Sequence, residues 1–346
     1  MRAAVFYGFD DLRMEDVPTP VPGPGEILMK NISALTCGSD LKQYHRGSPK
    51  LSSFGSKPIF GHESAGIVAA VGEGVEGFKV GDRIAPHNSA PCHKCYYCKL
   101  GITSMCEHPT FIKSAWSEYR LLPASIVREN VFHIPDNISF RSAALLEPLG
   151  SAVQGIEMAY IQLMDTVVIN GAGPLGLMMA KVALLRGAYV IQTDISEYRL
   201  GQAKKLGVNE TINVKEVDDQ VKAVLALTPE GRGADAVIDA TGLPEIWEKN
   251  LFMARKGGTV VEFGGLKGGT KVNLDATLIH YNQLNIKGTF HTTPRIVEQA
   301  WKLIERGHIS EDIFVQKTFG LNDCVKALES HATGEVVKNE IRCDQL

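Results

Sequence analysis

The stretch from Asp165 to Asp194, DTVVINGAGPLGLMMAKVALLRGAYVIQTD, constrains the fold more than any other part of the chain. Its short apolar run Val167, Val168, Ile169 is β-branched and closed by Asn170-Gly171, the pattern of a central parallel strand. Gly171, Gly173 and Gly176 then spell G-x-G-x-x-G where strand gives way to helix, with Pro174 and Leu175 carried in the same turn. The first glycine permits the tight turn, the second lets a pyrophosphate approach the backbone, and the third allows close helix–strand packing. Asp194 follows Gly176 by eighteen positions, where an acid accepts hydrogen bonds from an adenosine ribose. Two blander readings compete: an ordinary glycine turn, and a membrane helix over the mostly apolar residues 167–185. Three glycines, a proline, Asn170 and Lys181 within that span argue against the membrane. The stretch predicts a bound dinucleotide.

The rest of the chain supports an enzyme of two domains. A length of 346 residues suits two. The 44% hydrophobic and 22% charged residues fit a globular enzyme, and a net charge of −3 without a basic run gives no nucleic-acid footprint. The start, MRAAVFYGFDDLRMED, lacks the apolar core of a signal peptide, so a cytoplasmic protein with no membrane partner is expected.

Residues 1–150 alternate short apolar strands with glycine and proline turns, which predicts a compact, partly closed β-barrel. Four of the seven cysteines, Cys92, Cys95, Cys98 and Cys106, crowd into PCHKCYYCKLGITSMC. Four thiolates in that spacing can close tetrahedrally around one ion, leaving no open position, so the role is structural and the metal zinc. An iron–sulfur cluster is the lesser alternative, and His93 and His108 are surplus to four thiolates. The expected lobe covers about residues 88–110. A second set is dispersed: Cys37-Gly38-Ser39-Asp40, Gly61-His62-Glu63 and Glu147-Pro148. Each piece alone is bland, a buried thiol or a single structural histidine, and spacing does not unite them.

Taken in order, C-G-S-D at 37–40, G-H-E at 61–63, the four-cysteine lobe, E-P-L-G at 147–150 and GAGPLGL at 171–177 resemble the zinc-dependent medium-chain dehydrogenase/reductase family over essentially the whole chain. The nearest branch resembles the sorbitol (polyol) and threonine dehydrogenases. The resemblance implies an α/β protein with a GroES-like β-barrel catalytic domain at 1–150 and a doubly wound, parallel-sheet Rossmann domain at 151–290. Residues 291–346 would return to the catalytic domain. It also implies that Cys37 and His62 bind a catalytic zinc, with Glu63 or Glu147 supplying a carboxylate. One thiolate, one imidazole and one carboxylate leave an open position, as catalysis requires. Asp40 would anchor a ligand from behind. Zinc lowers the pKa of a coordinated alcohol, and Ser39 would relay its proton; otherwise Ser39 is a turn serine bonded to its own backbone.

Between lobe and next strand the chain departs from the family. FIKSAWSEYRLL lacks the glycine pair many relatives place there, so Phe111, Lys113 and Trp116 are expected to reshape the substrate pocket. In the second domain, strands are expected at 166–170, 189–194, 210–213, 236–241, 259–263 and 285–290, alternating with helices such as 197–206 and 244–254. Thr241, Phe263 and Gly264 fall at strand ends, where the family borders the nicotinamide ring; the plainer reading is glycine turns. Asp194 would bond a ribose diol and repel a 2′-phosphate, favouring NAD over NADP, with Arg199 complicating the charge. A helix is expected at 294–306, another near 322–332 and a last strand in VVKNEIRC. His45, Arg46, Lys50 and Arg295 are candidates for contact with an acidic or phosphorylated polyol, against the simpler reading of solvated charge.

The expected activity is hydride transfer from a secondary alcohol (a polyol, sugar alcohol, sugar phosphate or hydroxy amino acid) to NAD. Two zinc ions per chain, catalytic and structural, serve a homodimer or homotetramer. The alternatives are an NAD-dependent epimerase or lyase with no net redox change, and a zinc-finger redox sensor or nucleic-acid-binding protein.

Overall fold

Strands buried on both faces must be apolar along their whole length, and Thr166–Asn170 and Tyr189–Asp194 are buried at almost every position. They sit in an all-parallel sheet ordered Glu210–Asn213, Tyr189–Asp194, Thr166–Asn170, Ala234–Asp239, Ala254–Glu262, Asn285–Gly288. In chain order this is 3-2-1-4-5-6, the doubly wound arrangement that binds ligands where the order reverses. Val168, Ile191, Val237, Val260 and Leu251 form its core cluster, each worth about 1.5–3 kcal/mol in burial.

The computed structural model describes residues 1–46 and 58–345, the Arg46 side chain excepted. The chain forms two compact units, Ser151–His291 and Met1–Gly150 with Thr292–Leu346. The helices Glu197–Leu206 and Pro244–Met253 fall where periodicity places them, as do Pro294–Glu305 and Cys324–Ala332. The fourth strand of the parallel sheet stops at Asp239, two residues early. The Asp239 carboxylate accepts from the Thr241 N–H at 2.8 Å and the Gly242 N–H at 3.0 Å, turning the backbone out of the ladder. The fifth strand begins earlier than expected, at Ala254, and the sixth ends at Gly288.

The other unit is built on a mainly antiparallel sheet of seven strands. Ile27–Leu35 is its spine, pairing with Ser64–Val71, Tyr119–Leu122 and Lys338–Arg342. Ser64–Val71 continues to Arg83–Pro86 and Val131–His133, while Val315–Gly320 flanks Lys338–Arg342 in parallel. Three functional segments adjoin ends of these strands. Cys37 follows Leu35 and begins helix Gly38–Arg46, and His62-Glu63 leads into Ser64–Val71. Lys338 opens the last strand. The four-cysteine segment is tied at its neck by a two-residue ladder, Ser89↔Phe111 and Ala90↔Thr110. Helix Leu146–Ala159 starts five residues before the SAVQGIEMAYI segment, so Glu147 lies in its first turn, where the helix dipole favours a carboxylate.

Candidate active site

Cys37, His62 and Glu63 converge although 25 residues separate the first two. One donor atom from each, a thiolate sulfur, a ring nitrogen and a carboxylate oxygen, lies within 4.8 Å of the others. Asp40 arranges them. Its Oδ2 accepts from the Cys37 N–H at 3.1 Å and its Oδ1 lies 3.1 Å from His62 Nδ1. The outward nitrogen is thereby fixed and Nε2 is turned to the carboxylates, 3.9 Å from Glu63 Oε1 and 3.9 Å from Glu147 Oε2. Ser39, on the exposed first turn of helix Gly38–Arg46, donates to Cys37 Sγ at 3.3 Å.

The two glutamates differ in their neighbours. Glu63 is fully buried, and both its oxygens accept from Lys338 Nζ, at 2.8 and 2.6 Å. Glu147 accepts from Asn88 Nδ2 at 2.8 Å through Oε1. Burial pushes the Glu147 carboxyl up to about 7, with His62 pulling the other way. A soft thiolate, an imidazole and carboxylates buried this closely suit zinc, whose charge would hold Glu147 ionised. Two residues at this site carry no sequence motif. Lys338 is a fully buried lysine that follows the apolar pair Val336-Val337 and opens the strand Lys338–Arg342. Arg120, also fully buried, donates to the His62, Ile112 and Lys113 carbonyls and to Ser64 Oγ.

In the lobe, Cys92, Cys95, Cys98 and Cys106 offer four sulfurs within 4.8 Å of one another. The Cys95–Cys106 sulfur separation is 3.9 Å. A tetrahedron with Zn–S bonds of about 2.3 Å has edges of about 3.8 Å, so the spacing fits one mononuclear ion and is too tight for an iron–sulfur cluster. The Lys94 and Cys95 N–H groups donate to Cys92 and lower its thiol to about 6, whereas burial pushes Cys98 up to about 12. Four thiols so placed ionise together only around a cation.

In the parallel-sheet unit the glycine turn has the form that a phosphate needs. A Cβ on Gly176 would stand 1.9 Å from the Gly171 carbonyl oxygen, while one on Gly173 would meet nothing within 4 Å. The helix thus packs onto the turn and leaves open space before its N-terminus. Pro174 takes the first helical position and Leu175 follows. Asp194 Oδ2 accepts from the Ala172 N–H at 2.6 Å and Oδ1 from the Ser196 N–H at 2.8 Å. A cavity of about 250 Å³ is lined by Gly171, Gly173, Asp194, Arg199 and Thr241 among others, and Arg199 Nε is buried there without a partner. Phe263 and Gly264 do not reach it: the Phe263 ring packs against Gly155 and Gly264 against Asp239.

Within 107–118 the structure departs from the expected pocket wall. Trp116 does not wall a pocket. It is fully buried in the core with Phe6, Phe60 and Leu321, and its indole N–H donates to the Leu35 carbonyl. Phe111 and Lys113 remain exposed. His45 is an exposed partner of Asp10 at 2.7 Å and Arg295 is exposed. Lys50 and the Arg46 side chain lie outside the described residues.

Residues 23–136 match the alcohol dehydrogenase GroES-like domain and residues 174–306 the zinc-binding dehydrogenase domain. The chain is 35% identical to an L-threonine 3-dehydrogenase of Pyrococcus furiosus, covering 98% of this chain and 96% of that one. It is a zinc-binding alcohol dehydrogenase of the medium-chain family. A sorbitol dehydrogenase of Bacillus subtilis is 33% identical over 90% of this chain and 89% of its own. The solved structure of a zinc-binding dehydrogenase from Sinorhizobium meliloti 1021, bound to NADP, superposes with a TM-score of 0.91 at 27% identity, covering 99% and 98% of the two chains. This member of the polyol and threonine branch is therefore a zinc-dependent alcohol oxidoreductase acting on a small-molecule alcohol. Its cofactors are zinc and a nicotinamide dinucleotide. No helix among its described residues is long and apolar enough to cross a membrane.

Proposed function

We propose that Cys37, His62 and Glu63 hold the catalytic zinc of a secondary-alcohol dehydrogenase, with Glu147 beside the open position. Cys92, Cys95, Cys98 and Cys106 hold the structural ion. The observation that carries this reading is the convergence of one thiolate, one imidazole and one carboxylate within 4.8 Å, held by Asp40. When bound, zinc would supply a Lewis acid that acidifies the alcohol and the dinucleotide would supply the hydride acceptor. Asp40 keeps the His62 ring in one tautomer, and Asn88 keeps one Glu147 oxygen engaged so that the other faces the site. Lys338 compensates the charge of Glu63 without reaching solvent. The Ser39 hydroxyl, between ligand sulfur and water, takes the substrate proton at Oγ and passes it outward.

In the other unit the turn at Gly171–Gly176 takes the pyrophosphate and Asp194 takes the adenosine ribose, with Arg199 and Thr241 alongside. Phe263 and Gly264 belong to the nicotinamide end in this reading. An acid at Asp194 repels a 2′-phosphate, which makes NAD the preferred dinucleotide. Asp194→Ala should lower the NAD-over-NADP ratio of kcat/KM roughly tenfold, the size of one removed like-charge contact. Steady-state rates with both cofactors measure this, and a ratio that does not move would remove Asp194 from the ribose role.

The substrate is a polyol, sugar alcohol, sugar phosphate or hydroxy amino acid, the range to which the sorbitol and threonine relatives point. Following NADH absorbance with a panel of these alcohols tests the reading. NADH should form one-for-one with the carbonyl product, whereas an internal-redox epimerase or lyase would convert substrate without NADH. None of the seven cysteines forms a disulfide, which suits a reducing cytoplasm. The edge strand Asn285–Gly288 is the seam we assign to a homodimer or homotetramer, to be read by light scattering.

A further inference from the structure

Between the four-cysteine segment and strand Tyr119–Leu122 stands an amine, Lys113, that meets no carboxylate among the described residues. Lys113 Nζ donates to Gln43 Oε1 at 2.6 Å, a neutral amide oxygen, and among the described residues it forms no ion pair with a carboxylate. An ammonium has three donors, so two stay free. Gln43 Nε2, on the other side of the same amide, is buried and has no partner among the described residues. Apart from the Gln43 Oε1 that Nζ already engages, no acceptor among the described residues receives the donors that these two side chains bring together.

That point is fixed in space. Arg120 clamps the backbone that presents Lys113, its Nε donating to the Lys113 carbonyl at 2.9 Å and its Nη2 to the Ile112 carbonyl at 3.1 Å. The same Nη2 donates to the His62 carbonyl at 3.1 Å, so one buried guanidinium ties the lysine loop to a proposed metal-binding residue. Backbone bonds from Ser114, Ala115 and Trp116 to Ile59, Gly61 and Phe60 complete the brace. Gln43 lies on helix Gly38–Arg46, four residues from Ser39, whose hydroxyl touches Cys37. Residues four apart share a helix face about one turn, roughly 5.4 Å, from each other. Asp40 is the acid whose charge reaches Lys113, and both its oxygens are committed to Cys37 and His62. The protein packed around Lys113 lowers its pKa, with Asp40 opposing the shift.

We propose that Lys113 and Gln43 form an oxyanion subsite one helical turn from Ser39, and that the alcohol this enzyme oxidises carries a carboxylate or phosphate. The subsite rests on the reading that Cys37 and His62 mark the reacting end. A hydroxyl beside Ser39 and an oxyanion beside Gln43 stand apart by the span of a short hydroxy acid or a phosphorylated polyol. Lysine supplies the charge and the glutamine amide a directed hydrogen bond.

The test compares matched alcohols on the zinc-loaded enzyme: 2,3-butanediol against 3-hydroxybutyrate and L-threonine, and sorbitol against sorbitol 6-phosphate. Wild-type kcat/KM should favour the acidic member of at least one pair by about tenfold or more, as expected for a charge-assisted hydrogen bond. Preference for the acids identifies a carboxylate site and preference for the phosphate a phosphate site. Lys113→Met should collapse that ratio about tenfold through KM with little change in kcat, and Lys113→Arg should restore part of it. Gln43→Glu, which places an acid on the lysine, should shift preference toward the neutral alcohol. Equal or better turnover of both neutral alcohols, or a Lys113→Met loss that falls equally on neutral and acidic substrates, would overturn the subsite. Both results would leave the dehydrogenase reading standing. That reading fails separately, if no alcohol of either kind yields NADH.

Discussion

Replacing Cys37 with serine is expected to lower kcat/KM for alcohol oxidation by about 10³-fold or more, a loss of about 4 kcal/mol of transition-state stabilisation. Zinc content should fall from two ions per chain to one. A hydroxyl is a poor substitute for a thiolate toward zinc, and the remaining imidazole and carboxylate are too few to retain it. The retained ion should be the lobe's, because four sulfurs within 4.8 Å form a closed shell of their own. NAD affinity should stay within roughly twofold, since the glycine turn, Asp194 and their cavity are formed wholly within Ser151–His291. Metal analysis, NAD titration and steady-state rates check the three parts together. Turnover within tenfold of the wild type, or loss of both ions, would show that Cys37 is not a ligand of a separate catalytic zinc.

The second large effect concerns stability. Lys338→Met should destabilise the zinc-free protein by about 3–5 kcal/mol, because with neither ammonium nor ion beside it Glu63 is left as an uncompensated buried charge. For a unit of this size that corresponds to a fall of roughly 10 °C in Tm. Removing both charges tells the ion pair from simple packing. Lys338→Met with Glu63→Gln should recover most of the stability, as replacing a buried pair by neutral groups often does. Activity should not return with it, since Glu63 is lost from the metal site. A single variant as stable as wild type would mean that the buried pair carries no such cost. Thermal unfolding with and without added zinc measures both.

Much of the architecture was legible because its causes are local. The β-branched run before Gly171, the helix after Pro174 and the acid at Asp194 follow one another within a single βαβ unit. The lobe was equally legible, since four cysteines within fifteen positions need no distant partner to be recognised as one site. Strand ends were less so: Asp239 turns the chain through its own side chain, and a hydrophobic pattern does not register where a carboxylate captures two N–H groups. Trp116 misled for a related reason. A large aromatic in an atypical loop suits a pocket wall or a core equally well, and only its neighbours Phe60 and Leu321 decide between them.

Read alone, the residues lead to a dinucleotide on a parallel sheet, to four cysteines close enough in sequence to share one ion, and to the scattered motifs of a zinc-dependent alcohol dehydrogenase. Tertiary structure alone decided how those motifs meet. Lys338 pairs with Glu63 across 275 positions of chain, Asp40 reaches back to His62, and Arg120 fastens the Lys113 loop beside them. Such contacts leave no period or spacing in a sequence, because what selects them is the need of a buried charge for a partner, and the partner is supplied by whichever strand the sheet brings alongside.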